Sequence, residues 1–346
     1  MNNTVLVLGA RGRLGGAVAQ AFEAAGWRVL AQRRAGGKVP SPDAGIEWVE
    51  AEAGDTAALV RAAACARVVV HAMNPAYTAR AWRIEAPALM QAAIDTATAL
   101  GALLMFPGNV YNYGAAMPAL LSTYTPQRPT SEKGRIRVDL EQKLAQATRT
   151  RGLQAVLIRA GDFFGAGSGS WLDQVVVKKL PQGRVTWPGT LDAPHAWACL
   201  PDLARVFVSV AETAPAQTGG HFECLHFAGH TVTAQDWLAA LTEVAWEQGW
   251  LPPGGALRTD KLPWGMMRLV SPFSATVASL LEMRYLWDVP HALDGEALAR
   301  RIGAEPHTPF LDAVRAAIAQ LDLAPHGSNV SGPREARSVA SLTQGV

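Results

Sequence analysis

The sequence predicts an α/β fold, a doubly wound parallel sheet followed by a smaller, mainly helical C-terminal substrate region. Three observations predict it. Val5–Leu8 is a continuous apolar run, as in a strand buried on both faces. Strand-like and helix-like segments alternate over the first 165 residues, which implies parallel pairing through crossover helices. Three glycines at three-residue spacing, Gly9, Gly12 and Gly15, sit between the first strand and the first helix.

The opening "TVLVLGARGRLGGAVAQAFEAAGWRVLAQRR" justifies the first unit. "AVAQAFEAAG" has helical periodicity and stops at Gly26, and "WRVLAQ" is the second strand. Strand, glycine turn, helix and strand within about 30 residues is the unit whose helix N-terminus receives a pyrophosphate. "IEWVE" is the third strand, "ARVVVHAM" the fourth, and "EAPALMQAAIDTATALG" a long amphipathic helix. "ALLMFPGNVYNYG" is the fifth strand with its loop, and "LQAVLIRAGDFFG" the sixth. After Gly165 come a flexible "GAGSGS" loop, a short helix in "WLDQVVVKKL", a strand-like "GRVTWPG", and helices in "TVTAQDWLAALTEVAWEQG", "FSATVASLLEMRYLWD" and "FLDAVRAAIAQL". The expected organisation is a Rossmann-type dinucleotide-binding domain over residues 1–165, to which a segment near 195–212 returns. Residues 166–325 form a substrate-binding lid, and the polar, Gly/Ser-rich 326–346 a disordered tail.

The GxxGxxG spacing in that context resembles the extended short-chain dehydrogenase/reductase superfamily, the NAD-dependent epimerase/dehydratase family. The resemblance covers most of residues 4–325, is specific in the first 75, and is looser afterwards. It implies that Gly9, Arg11, Gly12, Arg13, Leu14 and Gly15 approach a dinucleotide, with Asp55 near its adenine and His71, Ala72 and Met73 lining it. Family members specific for NAD carry an acid at the end of the second strand. Here that position is Arg33, followed by Arg34, and guanidinium groups suit a 2′-phosphate where an acid repels it. NADP(H) is therefore expected over NAD(H), unless the two arginines are only solvated surface.

The resemblance also exposes an altered site. Family members use a tyrosine as proton donor, a lysine four residues later, and a Ser or Thr after strand five. Aligning "P-x-S" with Pro129–Ser131 puts Lys133 at the tyrosine position and Arg137 at the lysine position. Aligning "Y-G" with Tyr113-Gly114 puts Asn109 at the serine. Asn109 can still donate to a carbonyl oxygen, and the resemblance implies a ribose contact for Arg137. Lys133 serves as donor if it is buried, and is a solvated charge if it is exposed. Tyr111, directly after the strand, is a second donor candidate or else an aromatic packed under the loop. Trp82, Trp171 and His195 are expected on the substrate side, together with some of the other tryptophans.

Composition narrows the classes. A formal charge of +2, with 49% hydrophobic and 17% charged residues, predicts a globular protein without affinity for nucleic acid or anionic membrane. Cys65, Cys199 and Cys224 offer neither metal-ligand spacing nor a disulfide framework and suit a reducing cytosol. "MNNTVLVLG" lacks the charged n-region and cleavage site of a leader, so a soluble, cytoplasmic protein is expected. The leading expectation is an NADPH-dependent oxidoreductase acting on a small apolar or aromatic carbonyl compound, as a possible homodimer. The alternatives are a nucleotide-sugar epimerase or dehydratase, and a non-catalytic dinucleotide-responsive regulator.

Overall fold

The computed structural model describes residues 3–34, 36, 45–214 and 219–323; the expected tail lies outside them. Along the first half run β1 (Thr4–Leu8), α1 (Arg13–Ala24), β2 (Arg28–Arg33), β3 (Ile46–Glu50), α2 (Thr56–Ala62), β4 (Val68–His71), α3 (Ala79–Leu100), β5 (Leu103–Gly108), the two-residue β6 (Leu120–Leu121) and α4 (Glu132–Arg151). Next come β7 (Gln154–Arg159), β8 (Asp162–Phe164), β9 (Arg184–Trp187), β10 (His195–Cys199), α5 (Leu200–Glu212), β11 (His221–His226) and β12 (His230–Val232). The rest comprises α6 (Ala234–Glu247), β13 (Arg258–Lys261), α7 (Trp264–Val270), α8 (Ala275–Glu282), β14 (Ala292–Leu293), α9 (Glu296–Ile302) and α10 (Phe310–Ala319).

Seven strands form one parallel sheet in the order β11-β7-β5-β4-β1-β2-β3. The order reverses between β1 and β4, the switch point at which ligands bind across strand ends. All five residues of β1 are buried, as an apolar strand covered on both faces requires. α1 packs beside α5 on one face, and Val18, Phe22, Leu203 and Phe207 belong to the core beneath them. α3 and α4 pack together against the other face, where Met90, Ile94, Leu140 and Leu144 are buried.

The ends of these helices follow from local chemistry. Thr78 and Ser131 accept hydrogen bonds from the backbone N–H of Ala81 and Gly134 at the starts of α3 and α4. Gly101 and Gly152 close the same two helices in the left-handed conformation, at φ 62° and 67°. Thr233 and Asp236 form the capping box that opens α6.

One strand lies where sequence periodicity gave no sign of it. His221–His226 joins the sheet as its edge, pairing with β7, so the return to the sheet after residue 166 extends beyond 195–212. "HFECLH" has no continuous apolar run, because an edge strand has a neighbour on one side only. Beyond the sheet, β8, β10 and β12 form a small mixed sheet, and β9 with β13 and β6 with β14 form parallel pairs. The C-terminal region therefore mixes short strands with its helices. Among the described residues, no helix is long and apolar enough to cross a membrane.

Candidate functional site

The glycine turn is built for close approach. Gly9 has φ +80°, and a Cβ there would meet Met73 at 2.9 Å. A Cβ on Gly15 would lie 2.3 Å from the Gly9 carbonyl oxygen, so α1 rests directly on the turn. The Gly9 N–H donates to Gln32 Oε1 at 2.9 Å, and Gln32 Nε2 donates to the Ala51 carbonyl at 2.7 Å, tying the turn to β2 and the chain after β3. α1 starts from Gly12, which offers no side-chain cap. Its first-turn N–H groups are thus directed at the place where an anion binds. A cavity of about 600 Å³ opens beside the turn, lined by Arg11, Gly12, Arg13, Trp48, Ala166 and Gln320 among others. These features fit the diphosphate end of a dinucleotide.

The other residues expected at the cofactor are placed as follows. Leu14 is buried in α1. Arg13 is half-buried, donates to the Gly165 carbonyl at 2.5 Å, and has its pKa lowered to about 10 by desolvation. Arg33, at the end of β2, is paired with Glu50 at the end of β3, while Arg34 is exposed. Asp55 caps α2, accepting from the Ala58 N–H at 3.0 Å. The Ala72 N–H continues the β1–β4 ladder by donating to the Leu8 carbonyl. His71 is buried and stacked on Phe106 with ring centroids 5.1 Å apart; desolvation, assisted by the Arg137 charge, lowers its pKa to about 3.

From Met73 a crevice of about 10 Å³ continues along the carboxyl ends of β4 and β5, lined by His71, Asn74, Trp82, Phe106 and Arg137 among others. It has room for about one water, so a nicotinamide ring enters only if these side chains rearrange. Arg137 is buried between the faces of Trp82 and Phe106, 5.1 and 5.3 Å from their ring centroids, and donates to the Pro107 carbonyl at 3.1 Å. Burial lowers its pKa to about 10.

Lys133 is fully buried, which removes the solvated-charge alternative. Its ammonium lies 3.2 Å from Glu282 Oε2, 4.7 Å from the centre of the Tyr77 ring and 5.9 Å from that of Trp82. Desolvation lowers its pKa, and the Glu282 charge opposes the fall. Tyr111 packs against Trp82 at 6.4 Å, and burial pushes its phenol well above the usual value. Asn109 accepts from the Tyr111 N–H at 3.1 Å, which leaves its amide nitrogen as the donor of that side chain. Trp82, Tyr111, Lys133 and Arg137 therefore converge, with Asn109 tied to Tyr111.

His195 belongs to the next layer. Its Nε2 is 3.0 Å from Asp162 Oδ2, and its Nδ1 is 3.1 Å from the Leu286 carbonyl oxygen. A carbonyl oxygen only accepts, so Nδ1 carries a proton. Nε2 and the Asp162 carboxyl are joined by the second hydrogen bond. Burial above all raises the pKa values of Tyr77, Tyr111 and Tyr285, and the Asp162 charge adds a smaller share. Trp171 is packed on Trp287 with centroids 5.1 Å apart, and Trp287 also stacks on His195 at 5.1 Å.

Sequence reasoning missed Tyr77, Asp162, Glu282 and Tyr285. Glu282 did leave a signal, being the only acid between Asp260 and Asp288. Tyr124, near the site in sequence, is 89% exposed and takes no part in the cluster.

A model of the NAD dependent epimerase/dehydratase family matches residues 5–224. The chain belongs to that family. Solved structures of similar fold include UDP-glucuronic acid 4-epimerase from Bacillus cereus in complex with NAD, at 14% identity and TM-score 0.71 over 92% of this chain and 98% of that one. UDP-glucose 4-epimerase from Brucella ovis, also with NAD, gives 18% and 0.69 over 92% and 98%. UDP-glucose 4-epimerase from Thermotoga maritima, with UDP-glucose, gives 14% and 0.68 over the same shares. The comparison with curated proteins returned no match. At the two positions that spacing in the sequence aligned with the family's tyrosine and lysine, Lys133 and Arg137 are buried.

Proposed function

We propose that the protein is a nicotinamide-dinucleotide-dependent enzyme acting at an oxygen-bearing carbon, in which Lys133 or Tyr111 supplies the proton that the family's tyrosine otherwise handles. One observation supports this reading above the rest: Lys133 and Tyr111 are linked to the glycine turn through neighbours they share. Met73 lies against Gly9 and shares a crevice with Arg137 and Trp82, and the centre of a Trp82 ring is 5.9 Å from Lys133 Nζ and 6.4 Å from that of Tyr111.

When bound, the dinucleotide supplies or accepts hydride. Gly9, Gly12, Gly15 and the start of α1 would hold its diphosphate. The amide of Asn109 orients the reacting oxygen. Tyr111, its phenol raised by burial, stays protonated at neutral pH and is the weaker acid of the two. Lys133 is drawn down toward working pH by desolvation, the direction a proton donor needs.

Two substrate classes follow. UDP-glucose and UDP-glucuronic acid in the similar epimerases favour a nucleotide sugar. The second class, a small apolar or aromatic carbonyl compound, rests only on Trp171, Trp187, Trp197 and Trp287, which are packed on one another in the core. UDP-sugars on one side, and aldehydes, ketones and enones on the other, assayed with both dinucleotides, separate the two. On whichever turns over, Lys133→Met and Tyr111→Phe are compared, and loss of the true donor is expected to lower kcat by about 10²–10⁴-fold while sparing dinucleotide binding. If neither slows the reaction, the His195–Asp162 pair is the next source. Tight dinucleotide binding with no turnover anywhere would leave the non-catalytic reading in its place.

NADP(H) preference is part of the proposal. No acid stands at the end of β2, Arg34 is exposed there, and Arg11 lines the cavity beside the turn. Glu50 neutralises part of the Arg33 charge, so Arg34 and Arg11 carry more of the preference than sequence position suggests. A charge-assisted contact contributes about 1.5–3 kcal/mol, so NADPH is expected to bind at least tenfold more tightly than NADH in a fluorescence titration. Arg34→Asp is expected to erase the difference, and equal affinities in the unmutated protein would rule the preference out.

A further inference from the structure

We propose that Glu282, on α8, is a positioning residue that fixes the Lys133 ammonium from the C-terminal region of the chain. The inference rests on the reading of Lys133 as a proton source. Both oxygens of the Glu282 carboxylate are used, and on consecutive residues: Oε1 accepts from the Glu132 backbone N–H at the first turn of α4, and Oε2 faces Lys133 Nζ at 3.2 Å. The two partners lie 150 and 149 residues away in the chain. α8 therefore reaches across to the helix that carries the altered catalytic positions and holds it at the point of change.

The geometry suits this task. Lys133 is walled by aromatic faces, Tyr77 at 4.7 Å and Trp82 at 5.9 Å, which attract a cation but accept no proton. Glu282 is partly exposed, at 24% for its side chain, so its carboxylate keeps contact with water while its partner has none. Other groups on this region are Glu132, held by Arg83 at 2.8 Å, and Arg137 one turn on along α4. Tyr77, Tyr111, Tyr285 and Asp162 bear on it from the remaining elements. Glu282 is the acid that opposes the desolvation of Lys133 most strongly, and Glu132 adds a smaller share.

An opposite charge at this distance moves a pKa by about 1–3 units. Without Glu282 the Lys133 amine is expected to lose its proton at a pH lower by about one unit or more. The test is NMR titration of lysine side chains in the full protein, with the Lys133 signal assigned through Lys133→Met. In Glu282→Gln the Lys133 pKa is expected to fall by at least about one unit, and Glu282→Asp is expected to restore part of it. An unchanged pKa in folded Glu282→Gln overturns the proposal. Should Glu282→Gln not fold, Glu282→Asp still decides, because its shorter side chain cannot hold both partners; no shift there overturns the proposal equally.

Kinetics separate this role from the catalytic reading. A donor must be protonated, so turnover falls as pH rises through its pKa. In Glu282→Gln that fall is expected at lower pH, by the same interval that NMR reports, with little change in KM. A pKa that moves while the kcat profile stays still leaves Glu282 as the holder of Lys133 and removes Lys133 as the proton source.

Discussion

Below about pH 6 the protein is expected to lose stability steeply. His71 at the end of β4, His226 at the end of β11 and His291 just before β14 are buried. Desolvation above all lowers their pKa values, to about 3 for His71 and His291 and about 4 for His226. His226 shows why the neutral form is built in: its Nδ1 faces the Leu121 carbonyl at 3.0 Å and so carries the proton, leaving Nε2 to accept from the Tyr113 hydroxyl at 3.2 Å. In the unfolded chain each histidine takes a proton near pH 6.5. Between that pH and about 4 the unfolded state binds protons that the folded state refuses. The stabilisation is therefore complete above pH 6.5 and drains away as pH falls. Each group contributes about 1.4 kcal/mol per pH unit inside that window, so the three together reach about 4 kcal/mol per unit. Urea midpoints at pH 8, 6.5, 5.5 and 5 measure this, and a flat series would show that the burial penalty is not borne by these side chains.

Breaking the Arg159–Glu141 pair is expected to have the largest effect of any single substitution outside the glycine turn. Arg159 ends β7, is 1% exposed, and meets Glu141 of α4 at 2.7 Å. It also donates to the Asn109 carbonyl and lies 5.1 Å from the centre of the Tyr113 ring. Gln127 Nε2 donates to the same Glu141 oxygen at 2.8 Å. Arg159→Ala leaves that carboxylate buried with its main partner gone, at a cost of about 3–5 kcal/mol. Replacing both members, as in Arg159→Met with Glu141→Leu, is expected to recover much of the loss, because two desolvated charges disappear together. Denaturant unfolding of the single and double variants checks both statements; a double variant no better than the single would mean that the pair holds the Asn109 loop rather than balancing charge.

The sheet was largely legible because its inner strands are buried on both faces and read as apolar runs, and because the glycine turn admits so few residue types. The alignment of Lys133 and Arg137 with the family's tyrosine and lysine rests on spacing alone. What spacing could not supply was the surroundings. Whether Lys133 is a solvated charge or a buried one depends on Tyr77 and Trp82 at the start of α3 and on Glu282 of α8, two stretches far apart in the chain. His195 stood out as a residue type, but its meaning depends on Asp162, brought alongside by the pairing of β8 with β10. The edge strand β11 was hidden for the opposite reason, its half-polar pattern being that of a surface.

Gly134 ties the first turn of α4 to the loop after β5. A Cβ there would lie 2.4 Å from the Tyr111 carbonyl oxygen, so the first turn of α4 bears on the loop after β5 with no side chain between them. Packing this close leaves no slack. A displacement at the end of β5 is therefore expected to carry the first turn of α4 with it, so that Tyr111 and Lys133 keep one setting.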